Sequence, residues 1–276
     1  MIKIMVDSAS DCGKEEGLYD LFVPLTVNID GREYLDGVGL NADMFYDLLV
    51  SSKEFPKTSQ PAPDVYLEGF EKIKEAGDEL ICFTLSSALS GTYQSACIAK
   101  SMVEYDGIRI IDTKTATHMI HVLARYAARR IREGASAEAI VEECEALKGK
   151  VKALAGLDTL EYLYRGGRLS RTSAAVGSIA GIKPIITVTE DGRVVNCGKA
   201  IGVGRAIQTM MDKLASYELD QRFPVYSLYS CGTENCEKLE EKLTKAGYRL
   251  GERLQVGPTI GAHVGPGAYA VIFVTK

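Results

Sequence analysis

Short apolar runs at 2–6, 22–27, 79–84 and 108–111 alternate with amphipathic stretches near 41–51, 64–76, 90–104 and 114–133. Strand followed by helix, repeated, has few compact solutions. The commonest is a mainly parallel sheet with helices on both faces. In such sheets ligands gather at the carboxyl ends of the strands. Residues 7–11, 86–91 and 112–113 each follow an expected strand, so they are expected along one rim.

A further helix over 136–147 runs into Lys148-Gly149-Lys150, which marks a junction between domains of 1–149 and 150–276. Beyond it the pattern changes. Residues 151–157 are apolar apart from Lys152, and 183–189 and 193–199 flank the turn Glu190-Asp191-Gly192, which reads as a β-hairpin. Strands near 224–230, 250–256 and 268–274, with helices at 205–217 and 233–246, make the second half an α+β domain with an antiparallel or mixed sheet. A length of 276 residues suffices for two ordinary cores.

Several function classes fall away. With 32 basic and 37 acidic residues, a net charge of −5, the chain lacks the basic field that nucleic-acid binding needs. No window approaches the ~18 consecutive apolar residues of a membrane span, so any membrane contact is expected to be transient. The N-terminus enters a strand pattern directly, which argues against a secretory signal. Seven cysteines, an odd number with no C-x-x-C pair, fit reduced thiols in a cytoplasm better than disulfides or a zinc site, and no metal or cofactor is expected. Neither a G-x-x-x-x-G-K-[ST] phosphate loop nor a G-x-S-x-G elbow occurs.

Three segments carry the chemistry: Thr58-Ser59-Gln60-Pro61, Ser86-Ser87-Ala88-Leu89-Ser90-Gly91-Thr92 and Gly261-Ala262-His263-Val264-Gly265-Pro266-Gly267. Ser90 stands near an expected helix start, where backbone N–H groups lack internal partners. It reads either as an ordinary N-cap or, with the following amides, as a grip for a carboxylate or phosphate. Glycine at 91 lets a ligand approach the backbone. Thr58 lies on a segment held extended by two prolines, which alone reads as a connector. His263, in a glycine-rich turn with no second histidine or cysteine near it in sequence, is free to point at a ligand and unsuited to metal.

His118 and His121 share a helix face but suggest packing or surface roles, and the Asp7-Ser8-Ala9-Ser10-Asp11 loop reads as structural. Arg165, Arg168 and Arg171 flank a glycine pair, with Lys199 and Arg205 further on. Such a cluster in an acidic chain suits solvation or a phosphate or acidic-partner contact, Arg168, Arg171 and Arg205 being the candidates.

Taken together, these segments resemble the DegV family over essentially the whole chain. Asp7-Ser8-Ala9-Ser10-Asp11 is similar to its D-S-x-S-D, Pro24-Leu25-Thr26-Val27 to its P-L-x-V, and Gly166-Gly167-Arg168-Leu169-Ser170 to its G-G-R-[IL]-S. Ile182-Lys183-Pro184-Ile185-Ile186 and Gly257-Pro258-Thr259-Ile260-Gly261-Ala262-His263 match in kind. The resemblance implies a two-domain protein holding one long-chain fatty acid, such as palmitate or stearate, between its domains. It implies a carboxylate held by Thr58, Ser90 with Gly91, and His263. It also implies, for some members, service as the non-catalytic acyl-binding subunit of fatty acid kinase in phospholipid metabolism, presenting the carboxylate to a separate ATP-binding protein. His118 stands where a small residue is usual and Cys12 where leucine is usual, departures that bear on the shape of the tail pocket.

At ~0.8 kcal/mol per buried methylene the tail of such a ligand supplies on the order of 10 kcal/mol before costs. The buried carboxylate needs full hydrogen bonding, and a positive charge on His263 would strengthen its bond. Two other readings stay open: a hydrolase or acyltransferase with Ser90 as nucleophile, His263 as base and Asp112 within reach, or a fatty-acid carrier with no kinase.

Overall fold

The computed structural model describes residues 1–13, 18–169 and 181–276. Strand β1 (Ile2–Asp7) lies between β2 (Leu21–Val23) and β6 (Glu79–Thr84), with β7 (Ile108–Asp112) beyond β6, and all three pairings are parallel. Successive side chains point to opposite faces. Met5, Leu80 and Cys82 meet Tyr66 and Phe70 of α2 (Pro63–Ala76) and Ala96 and Ala99 of α3 (Thr92–Val103). Ile4, Val6, Ile81 and Phe83 meet Ile120, Leu123 and Ala127 of α4 (His118–Arg132) and Ile140 of α5 (Ala137–Lys148).

The second sheet contains β8 (Val151–Gly156), β9 (Ile182–Val188), β10 (Val194–Ile201), β11 (Val225–Tyr229), β12 (Leu250–Gln255) and β13 (Tyr269–Val274). Its order is β10-β9-β8-β13-β11-β12, antiparallel except for the parallel β11/β12 pair, so the sheet is mixed. Leu154, Val271 and Phe273 face α7 (Val203–Ala215) and α8 (Glu234–Lys245). On the other face Ala153, Leu228, Ala270 and Ile272 join the same hydrophobic cluster as α4 and the inner face of the parallel sheet. The layers run helix, sheet, helix, sheet, helix, and one core crosses from sheet to sheet.

Two expectations differ from the structure. Residues 22–27 form two strands, because Pro24 offers no N–H to a ladder. β2 ends at Val23, and β3 (Thr26–Ile29) joins β4 (Arg32–Leu35) and β5 (Lys57–Ser59) in a small antiparallel sheet. The helix expected from 114 begins at His118, since hydroxyls and cross-strand bonds hold the backbone before it: Thr115 N–H donates to Thr113 Oγ1, Thr117 N–H to the Ala9 carbonyl and Ser86 N–H to the Thr115 carbonyl. These bonds tie together the rim expected from the strand ends. No disulfide joins any of the seven cysteines.

Candidate functional site

Thr58 stands on β5 opposite Val27 of β3, and Pro61 and Pro63 carry the chain from there into α2. His263 is not in a turn. It lies in the last turn of α9 (Pro258–Val264), which proline at the first helical position helps to start. Three groups from the first half of the chain hold the entry to this helix. Asp36 accepts from Thr259 N–H at 3.1 Å and from its hydroxyl at 2.5 Å, and Tyr46 donates its hydroxyl to the Val256 carbonyl at 2.9 Å. Asp11 packs so closely on Gly257 that a Cβ there would stand 2.5 Å from Oδ1.

This support sets His263 Nε2 at 2.8 Å from Thr58 Oγ1. Burial first, and the nearby Arg168 guanidinium second, push its pKa down to about 4. The imidazole of the protein alone is therefore neutral near pH 7, because a buried cation beside another cation is costly. Nδ1 is buried without a partner and faces the backbone of Gly166, where a Cβ would lie 2.2 Å from it.

Ser90 is not itself the N-cap of α3. Gly91 takes that position, while Ser90 Oγ lies 2.8 Å from Thr92 Oγ1 and accepts the Thr92 N–H at 3.3 Å. A Cβ at 91 would stand 1.9 Å from Oε1 of Gln60, so a larger residue there would push aside the Gln60 amide that reaches Ser95 Oγ. Arg168 is half-buried, donates Nε–H to the Leu89 carbonyl at 2.9 Å and loses some proton affinity to burial. Arg205 is exposed on α7 and away from these residues, and Arg171 lies outside the described residues.

Thr58, Gln60, Ser90, Arg168 and His263 line one cavity of about 1010 Å³, counted out to its mouth. Among the described lining residues Arg168 alone is charged, and most of the rest are aliphatic. The inner face of the second sheet contributes Ala153, Ala155, Ala268 and Ala270, while the first half of the chain contributes Leu25, Leu85, Leu89 and Met119. Alanines on this face leave space where larger residues would close it. Sequence reasoning missed them, although the spacing in Ala153-Leu154-Ala155 and Ala268-Tyr269-Ala270 puts the small residues on one face.

The hydroxyls and the imidazole do not form a nucleophile–base–acid chain. The histidine is bonded to Thr58, and Asp112 pairs with Lys114 at 2.6 Å and accepts Ser87 N–H at 3.1 Å. Asp7 is structural: it accepts from Leu85 N–H at 2.7 Å and Ala9 N–H at 3.0 Å, and burial raises its pKa to about 7. His118 and His121 are buried in packing roles, with His118 Nε2 2.9 Å from the Gln255 carbonyl and its Nδ1 3.2 Å from Nδ1 of His121. Among the described residues no cluster of His, Cys, Asp or Glu could hold a metal, and no helix is long and apolar enough to cross a membrane.

Gly166 gives a direct test of this geometry. Gly166→Ala adds a methyl into His263 while removing no ligand-facing group. It is expected to displace the imidazole from Thr58 and weaken carboxylate binding about tenfold or more, the effect of one charge-assisted hydrogen bond. Titration calorimetry with a carboxylate ligand measures it, and unchanged affinity would show that the position of His263 is immaterial.

The family model described as "Uncharacterised protein, DegV family" matches residues 1–276. A DegV domain-containing protein of Caldanaerobacter subterraneus subsp. tengcongensis is 38% identical over 279 residues, 100% of this chain and 99% of the relative. Two solved structures superpose over 100% of this chain and 99% of their own. One is a DegV family protein of Thermus thermophilus described as binding fatty acid, 28% identical with TM-score 0.89. The other is a stearic acid-binding protein of Eubacterium ventriosum, 30% identical with TM-score 0.88.

Proposed function

This chain belongs to the DegV family, and from that premise we propose that it binds one long-chain fatty acid between domains of 1–149 and 150–276 and presents its carboxylate to a separate ATP-dependent fatty acid kinase. The observation that carries the reading is the cavity's polarity: hydroxyls, a neutral imidazole and one guanidinium gathered within a wall that is otherwise mostly aliphatic. The tail lies against the alanine face of the second sheet and the leucines opposite it.

At the head, His263 Nε2–H donates to Thr58 Oγ1, which frees the threonine proton for the carboxylate. Ser90 donates its hydroxyl, the amides after Gly91 add backbone N–H groups, and Arg168 supplies the positive charge that a neutral His263 does not. The carboxylate is thus paired within the protein, and the tail supplies most of the affinity. This assigns Arg168 to the ligand itself and leaves Arg205 as the described candidate for partner contact.

Native mass spectrometry of purified protein, followed by extraction and identification of bound lipid, tests the binding. One fatty acid per chain is the expected result. Protein that arrives empty and takes up no added fatty acid would overturn it. For the kinase step, Arg205→Ala is expected to lower acyl phosphate formation severalfold in the presence of a bacterial fatty acid kinase while lipid binding stays at the wild-type level. Unchanged turnover would remove Arg205 from the partner surface.

A further inference from the structure

Behind the fatty-acid cavity lies a second chamber of about 420 Å³, counted out to its mouth. Its more exposed lining carries Lys114, Glu145, Lys148, Lys152 and Glu190, and its buried lining is Thr115, Met119 and Val151. Two side chains, Met119 and Val188, line both spaces. Met119 is 1% exposed in the first turn of α4, and Val188 is half-buried at the end of β9. Neither belongs to the polar group around Thr58, Ser90 and His263.

We propose that Met119 and Val188 form the partition that ends the acyl site and so set the longest chain this protein accepts. The inference rests on the fatty-acid reading and adds to it the residues that fix the substrate's length. Val188 is β-branched and held in the β9/β10 ladder opposite Val194, so it is the stiff half of the partition. Met119 is unbranched, with a side chain that fills irregular gaps, so it is the adjustable half. Truncating either removes the wall and joins the cavity to the second chamber. Each methylene that then leaves water tightens binding by about fourfold, the effect of burying one CH₂ group.

Competition of palmitic, stearic, arachidic and behenic acids for purified, delipidated protein tests the partition. Met119→Ala is expected to move the preferred ligand to arachidic or behenic acid, and Met119→Phe to move it toward palmitic acid, with head-group variants leaving the ranking unchanged. Val188→Ala repeats the first experiment from the other side of the partition and decides the matter if Met119→Ala does not fold. A wild-type ranking retained by folded alanine variants overturns the proposal. Failure of wild-type protein to bind any of the four acids overturns the fatty-acid reading instead, and the two failures are distinguishable by that control.

Discussion

Alanine at both Ser90 and His263 is expected to weaken binding of a long-chain fatty acid by roughly 10²- to 10⁴-fold while changing affinity for the matching fatty alcohol by only a few fold. The magnitude follows from two hydrogen bonds to a charged group at about 1.5–3 kcal/mol each, one from Ser90 and one from the Thr58 hydroxyl that His263 orients. The selectivity follows from what stays in place. Arg168 still lines the cavity and the aliphatic wall is untouched, so the tail keeps its contacts. The alcohol brings no charge to be desolvated and has less to lose. Calorimetry or displacement of a fluorescent fatty acid gives both constants. Equal losses for acid and alcohol would mean that the two side chains support the fold and do not read the carboxylate.

Opposite tilts in the pH dependence of stability are the second expected result. Burial raises Asp36 to about 6, above its ordinary value of 3.8. The folded state therefore holds that proton after the unfolded chain has released it, and stability falls as pH rises from about 4 to about 6. His263 is lowered from 6.5 to about 4, so the unfolded chain takes up a proton that the folded state refuses, and stability falls as pH drops through that window. At about 1.4 kcal/mol per unit, each group contributes on the order of 3 kcal/mol. Asp36→Asn, which can still accept from Thr259, should make stability rise more steeply with pH than in the wild type. His263→Gln should do the reverse. Denaturant melts at pH about 4.5 and about 7 measure both slopes, and parallel slopes for all three proteins would show that neither group is buried as described.

The sheets were legible in the sequence because apolar runs of strand length are hard to place elsewhere, and β6 spans Glu79–Thr84, the run read from sequence. The small sheet that carries Thr58 was not anticipated, yet its signal was present. Asp30-Gly31 sits between alternating residues, and both have positive φ, 49° and 81°, as a tight hairpin turn requires. His263 was anticipated as a ligand contact, but its helix was hidden by glycine and proline, which read as turn formers. That helix is held by Asp36, Asp11 and Tyr46 from more than 200 residues away. Periodicity cannot report such contacts, nor the neutral state of a histidine that depends on how deeply the folded chain buries it.

The core that runs from the parallel sheet through α4 into the second sheet makes each half of the chain part of the other's interior. Produced alone, residues 1–149 would turn Met119 and Val122 toward water, and residues 150–276 would do the same with Leu228, Ala270 and Ile272. Each fragment is then an aggregation hazard. Co-expressed, fragments cut near Gly149 should rescue one another by complementation, which makes this scaffold a candidate split reporter whose reassembly can be followed by recovery of soluble protein.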